Sequence, residues 1–180
     1  MKANHIFLAV LALVATGIAG FAVGKTTTQE AIPLVEPTKE HKWLASHAGE
    51  YAATMSGMMG TSPGTCKIEN LLGGLWNVTH FETKMMGQPF NGMEILGYNP
   101  LEGKFVSVWV DSMSTMLMTM KGSFDEKTNT LTMSGMSYGM DGGQAQMTNT
   151  TTYHDKGMSY KMMMEGQDTP AITIEYVKKK

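Results

Sequence analysis

Residues 109–122 read WVDSMSTMLMTMKG, and Met116, Met118 and Met120 fall at every second position with Leu117 and Thr119 between them. Successive side chains of an extended strand point to opposite faces, whereas a helix groups residues three or four apart. The period is therefore that of a strand, expected over 115–123, with the three thioethers on one face. Leu131 and Met133 alternate with Thr132 and Ser134 in the same way, and Met158, Met162 and Met164 share one parity.

Working outward from that strand, runs rich in Thr, Val, Tyr, Phe and Met are broken by turn signals at short intervals: GTSPG, LLGG, MGQ, YNPLEG, DEKTN, MDGGQ, HDKG and EGQDT. Strands are expected near 50–56, 65–70, 75–85, 90–98, 104–111, 115–123, 130–136, 144–154, 157–165 and 171–177. Tight Gly, Asn and Asp turns make sequential strands antiparallel neighbours, because a parallel crossover needs a dozen or more residues. About ten such strands predict an all-β, antiparallel, up-and-down barrel, since closure removes the edges that an open meander exposes. One short helix is expected before it, with Thr38 after Pro37 as its cap, Trp43, Leu44 and His47 on one face, and Gly49 as its stop.

The amino terminus reads as a targeting segment. Lys2 precedes the uncharged run IFLAVLALVATGIAGFAVG at 6–24, which ends at Lys25. That pattern fits a signal peptide, and its length approaches the roughly 20 residues of a membrane-spanning helix, so an uncleaved anchor is the alternative. Either outcome places the rest of the chain outside the cytoplasm, in the periplasm or cell envelope, with membrane contact only through this segment. Residues 25–36 form a polar linker, 37–177 the barrel domain, and 178–180 a basic tail.

Composition excludes several function classes. The chain has 180 residues and a formal net charge of −2, and its 14 cationic side chains are all Lys. Without Arg there is no planar fork for phosphate or base edges, so no nucleic-acid partner is expected. The single cysteine, Cys66, removes disulfides and multi-Cys metal sites and reads as a buried thiol. His41 and His47 lie about 240° apart around a helix and do not chelate together, and His80 and His154 stand alone. The sequons at Asn77 and Asn149 matter only in a eukaryotic secretory pathway. No nucleophile elbow, zincin, P-loop or dinucleotide motif occurs, so no catalytic residue, metal or cofactor is assigned.

EHKWL (40–44), GEY (49–51), LLGGLW (71–76) and GYNPLEGKFVSVWVDSMST (97–115) together resemble the bacterial family of domain of unknown function 1579. The resemblance covers about 37–177 and implies a lipocalin-like or calycin-like barrel without a known activity. It marks Trp43, Gly97, Tyr98, Pro100, Trp109, Asp111 and Ser112 as matching the family motif. This chain departs from the family at Tyr51, where Trp is usual, and at Met116, Met118 and Met120, where aromatic residues are common.

Read together, the barrel and its Met-lined face imply non-covalent binding of a small hydrophobic ligand. The expected lining is Trp43, Tyr98, Trp109, Asp111, Met116, Met118 and Met120, with Asp111 as turn cap or ligand-orienting carboxylate. Thioethers also select Cu(I), which makes a Met-rich copper-binding envelope protein the alternative. An enzyme with an unrecognised site is a third reading.

Overall fold

Each expected strand forms, and the last one returns to pair with the first. The computed structural model describes residues 35–180 except 59 and 139–142. The expected targeting segment and the linker as far as residue 34 lie outside the described residues. A helix, α1 (Lys39–Ser46), is followed by β1 (Gly49–Gly57), β2 (Gly60–Leu71), a 3-10 turn at Leu72–Gly74, β3 (Trp76–Met85), β4 (Gln88–Asn99) and β5 (Lys104–Asp111). The chain continues through β6 (Met118–Asp125), β7 (Thr130–Tyr138), β8 (Gln144–His154), β9 (Gly157–Met164) and β10 (Ile172–Lys178). Every strand pairs antiparallel with its sequence neighbours, and β10 pairs with β1 from Tyr51↔Lys178 to Gly57↔Ile172, which closes the barrel.

Alternation decides which side chains fill the interior. On β1, Tyr51, Ala53 and Met55 are buried while Glu50, Ala52 and Thr54 are exposed. On β7, Leu131 and Met133 are buried at 3% and 5% exposure, so the Met/Thr alternation read from the sequence is inside/outside alternation.

Two expectations need correction. The GTSPG segment, read as a turn, lies inside β2; the chain reverses between Gly57 and Gly60, which pair with each other. Pro63 is tolerated there because β2 pairs with β3 only from Thr65 onward, leaving residues 60–64 with β1 as their sole strand partner. A missing N–H costs least on such an edge. The second correction is at Met116, which precedes β6 in an exposed turn. Met118 and Met120 share the inward face as expected, and Met116 does not join them.

The helix closes one end of the barrel. Thr38 caps it, donating its N–H to His41 Nδ1 at 3.1 Å and bonding Glu40 Oε2 through its hydroxyl at 2.7 Å. Leu44 is 1% exposed, and its carbonyl accepts a hydrogen bond of 2.7 Å from Asn77 Nδ2 on β3. Trp43 packs its ring against Phe124, Tyr153 and Phe105 at centroid distances of 4.2, 4.9 and 5.5 Å. Burying Leu44 alone contributes about 2 kcal/mol, so α1 is a packed plug. Among the described residues no helix is long and apolar enough to cross a membrane.

Candidate functional site: a polar belt inside the barrel

Two hydrophobic clusters divide the interior. One gathers Tyr51, Met55, Cys66, Ile68, Phe81, Phe90 and their neighbours on β1, β2, β3, β4, β9 and β10. The other gathers Leu44, Leu96, Phe105, Met120, Leu131, Met133 and Met147. Among the polar side chains that share the inward parity of their strands with these residues, and belong to neither cluster's buried set, are Glu94 on β4, Ser107 on β5, Asn149 on β8 and Tyr160 on β9.

The register places these four at one level of the wall. Glu94 is opposite Trp109, and Ser107 is opposite Leu96, so Ser107 stands diagonally beside Glu94. Ser107 is opposite Met120 on β6, and Met120 is opposite Gly135 on β7. A β-carbon on Gly135 would run into Thr119 O, and its absence leaves the gap over which Asn149 Nδ2 reaches Met120 Sδ at 3.2 Å. Asn149 pairs with Met162 and Thr151 with Tyr160, which sets Tyr160 diagonally beside Asn149. The belt thus runs from β4 through β6 to β9.

Its hydrogen bonding is incomplete. Ser107 Oγ and Asn149 Oδ1 are buried without a well-formed hydrogen bond, although Ser107 lies near enough to act on the Glu94 carboxyl and Asn149 on the Tyr160 phenol; Glu94 forms no ion pair among the described residues. Such groups cost free energy unless something in the lumen satisfies them. Glu94 is surrounded by protein, yet it, Asn149 and Tyr160 are only part-buried at mid-strand.

Burial dominates the electrostatics. Loss of solvent raises the Glu94 carboxyl above its ordinary value, against a weaker opposing effect of the nearby Ser107 hydroxyl. Burial, with the negative charge of Glu94 as the next cause, raises the Tyr153 and Tyr160 phenols. Tyr176 is raised by burial, then by Cys66, Tyr160, Glu94 and Tyr153. The Cys66 thiol is pushed up to about 12, first by burial and then by Glu94, which makes it a core thiol and a poor nucleophile. No cation offsets Glu94: every Lys among the described residues is exposed, and His47, at the helix end, is held below its ordinary value by burial.

The residues expected to line a ligand site do not converge on one place. Trp43 and Tyr98 stand at the helix-capped end, beside an outer groove of about 440 Å³ that also borders Lys39, Glu40, Phe124 and Glu126. Trp109 faces the lumen, with its indole N–H donated to Asp111 Oδ2 at 2.9 Å and its ring stacked near Phe90 at 6.5 Å. Asp111 Oδ1 accepts from Met113 N at 2.8 Å, the turn-capping role expected of it. Met118 packs part-buried against the second cluster, Met120 is 4% exposed, and Met116 is 43% exposed. Both sequon asparagines point inward: Asn77 is 3% exposed and Asn149 sits in the belt. Glu94, Ser107, Asn149 and Tyr160 were not among the expected site residues, Asn149 having been read only as a sequon. The signal for Glu94 was available, a carboxylate at the same parity as Phe90, Gly92 and Leu96.

A closed antiparallel barrel of ten strands with, among the described residues, a single short α-helix defines a lipocalin-like class of protein. Within that class the chain belongs to the family described as Protein of unknown function (DUF1579), whose model matches residues 36–178. No curated protein matches the chain. Among the described residues no group of three or more His, Cys, Asp or Glu side chains is placed to hold a metal ion.

Proposed function

We propose that this chain is a binding protein whose barrel lumen takes one small, largely apolar molecule bearing a polar group, outside the cytoplasm. The extracytoplasmic location rests on the uncharged run at 6–24 after Lys2. The observation that carries the binding reading is the belt of Glu94, Ser107 and Asn149, with hydrogen-bonding capacity unmet in an otherwise Met- and aromatic-lined lumen. A neutral apolar fluorophore, N-phenyl-1-naphthylamine, tests it. Saturable one-to-one binding is expected, with energy transfer from Trp109 that W109F diminishes and that the lumen-filling substitution Asn149→Phe abolishes. Non-saturable binding, or binding indifferent to N149F, removes the lumen as the site.

A second reading, Cu(I) held by thioethers, draws on the barrel end opposite α1. There Met58, Met86, Met113, Met116 and Met136 are exposed by 43% to 91% at the ends of four successive hairpins. Titration with Cu(I) against a bathocuproine-type competitor decides it; failure to compete at micromolar levels ends that reading.

A further inference from the structure

The unmet groups of the belt share one chemical direction. Asn149 Oδ1, as an amide oxygen, only accepts hydrogen bonds, and the amide nitrogen turns one N–H to Met120 Sδ. An ionised carboxylate at Glu94 also only accepts, and the Ser107 hydroxyl beside it is free to accept. The belt therefore offers acceptor oxygens on three side chains, and its own donors, the Ser107 and Tyr160 hydroxyls, are both uncharged.

It also offers one carboxyl group with no opposite charge. Every described Lys is on the outer surface, His41 Nδ1 is engaged by Thr38 N at the far end of α1, and no Arg exists in the chain. A ligand carrying a carboxylate or phosphate would meet Glu94 as a like charge in a poorly solvated space. A ligand carrying an ammonium group would bring both the charge and the hydrogen bonds that the site lacks. Trp109, opposite Glu94 in the register and held by Asp111, adds an aromatic ring to the same wall, across Gly92, and aromatic faces favour cations.

We infer that the molecule taken by this lumen is a lipophilic primary amine, bound as its ammonium ion with its three N–H groups directed to the Glu94 carboxylate, Ser107 Oγ and Asn149 Oδ1. Its apolar body lies against Met118, Met120 and Trp109. The inference rests on the reading of the lumen as a binding site and adds the chemical class of its ligand.

Isothermal titration of the full chain with three probes of one body and different heads tests it: 4-phenylbutylamine, 4-phenylbutanol and 4-phenylbutanoate. The amine is expected to bind at least tenfold more tightly than the alcohol, with the carboxylate weakest. E94Q, which keeps the shape and removes the charge, is expected to lower amine affinity at least tenfold and to bring the amine-to-alcohol affinity ratio below threefold. S107A and N149L are expected to narrow the amine-to-alcohol ratio severalfold, and they carry the test if E94Q fails to fold. Alcohol or carboxylate binding as tight as the amine overturns the inference, as does an amine preference that survives E94Q. Saturable N-phenyl-1-naphthylamine binding without amine binding leaves the lumen reading standing and this inference overturned. Absence of binding by all four probes overturns both.

Discussion

The indole of Trp109 lies across Gly92, in the space that any β-carbon at position 92 would occupy, and its N–H is tied to Asp111 Oδ2 at 2.9 Å. Glycine is needed at 92 for room, since it has no positive φ to explain it. The W-x-D spacing on β5 thereby fixes one aromatic wall of the lumen: residues two apart share a face, and the carboxylate holds the ring in one orientation.

Gly92→Ala forces that ring to move. Overpacking of this kind costs about 1–3 kcal/mol, so urea denaturation of G92A should show a lower midpoint, with Trp emission altered in the folded state. The double variant G92A/W109F should recover part of the loss, because the smaller ring relieves the clash; strict additivity of the two changes would show that position 92 is not reserved for Trp109.

Asn77 links the helix to the barrel through both ends of its amide. Its Nδ2 donates to Leu44 O at 2.7 Å, and its Oδ1 accepts from Asn70 Nδ2 at 2.8 Å. Asn77→Leu strips the Leu44 carbonyl of its partner in a buried place, at a cost of about 1–3 kcal/mol. Amide exchange should then quicken in α1 more than in β6–β7; uniform change across the chain, or none, would show that the bond does not hold the plug.

Cys66 is 2% exposed, and its thiol is pushed up to about 12. Burial and a scarce thiolate act together, so the folded chain should resist a disulfide reagent at pH 8 and react with one equivalent once denaturant unfolds it. Rapid stoichiometric reaction under native conditions would contradict the inward placement of Cys66 on β2.

Strand positions were legible because alternation and turn residues report the same thing twice, once as a period of two and once as punctuation. Where side chains competed with the sheet for backbone groups, the reading slipped. Asp111 Oδ1 accepts from Met113 N, and Ser114 Oγ accepts from Met116 N at 3.0 Å, so the alternating thioethers begin inside a capped turn and join β6 only at Met118. Pro63 misled in the opposite sense, since an edge position absorbs a proline that a paired strand would reject. The belt itself was hidden for a topological reason. Glu94, Ser107, Asn149 and Tyr160 lie on four different strands and come to one level only through five successive registers and the gap at Gly135.

Glu94 should also mark the pH dependence of stability. Its carboxyl is raised in the folded chain above the ordinary value of 4.5, chiefly by burial, so the folded state holds the proton more tightly than the unfolded state does. The stability this contributes is complete below the unfolded value and is lost as pH rises through the folded one. The side chains that feel Glu94, namely Tyr153, Tyr160, Tyr176 and Cys66, are all raised and stay neutral across that window. E94Q has no proton to lose. Its stability relative to the parent, measured by urea denaturation at a series of pH values, should therefore be level below about pH 4 and then gain by up to about 1.4 kcal/mol per pH unit between the two carboxyl values. A gap between parent and E94Q that stays constant from pH 4 to 9 would mean that the carboxyl ionises as freely inside the barrel as in water, and the lumen would then be wetter than its Met and aromatic walls imply.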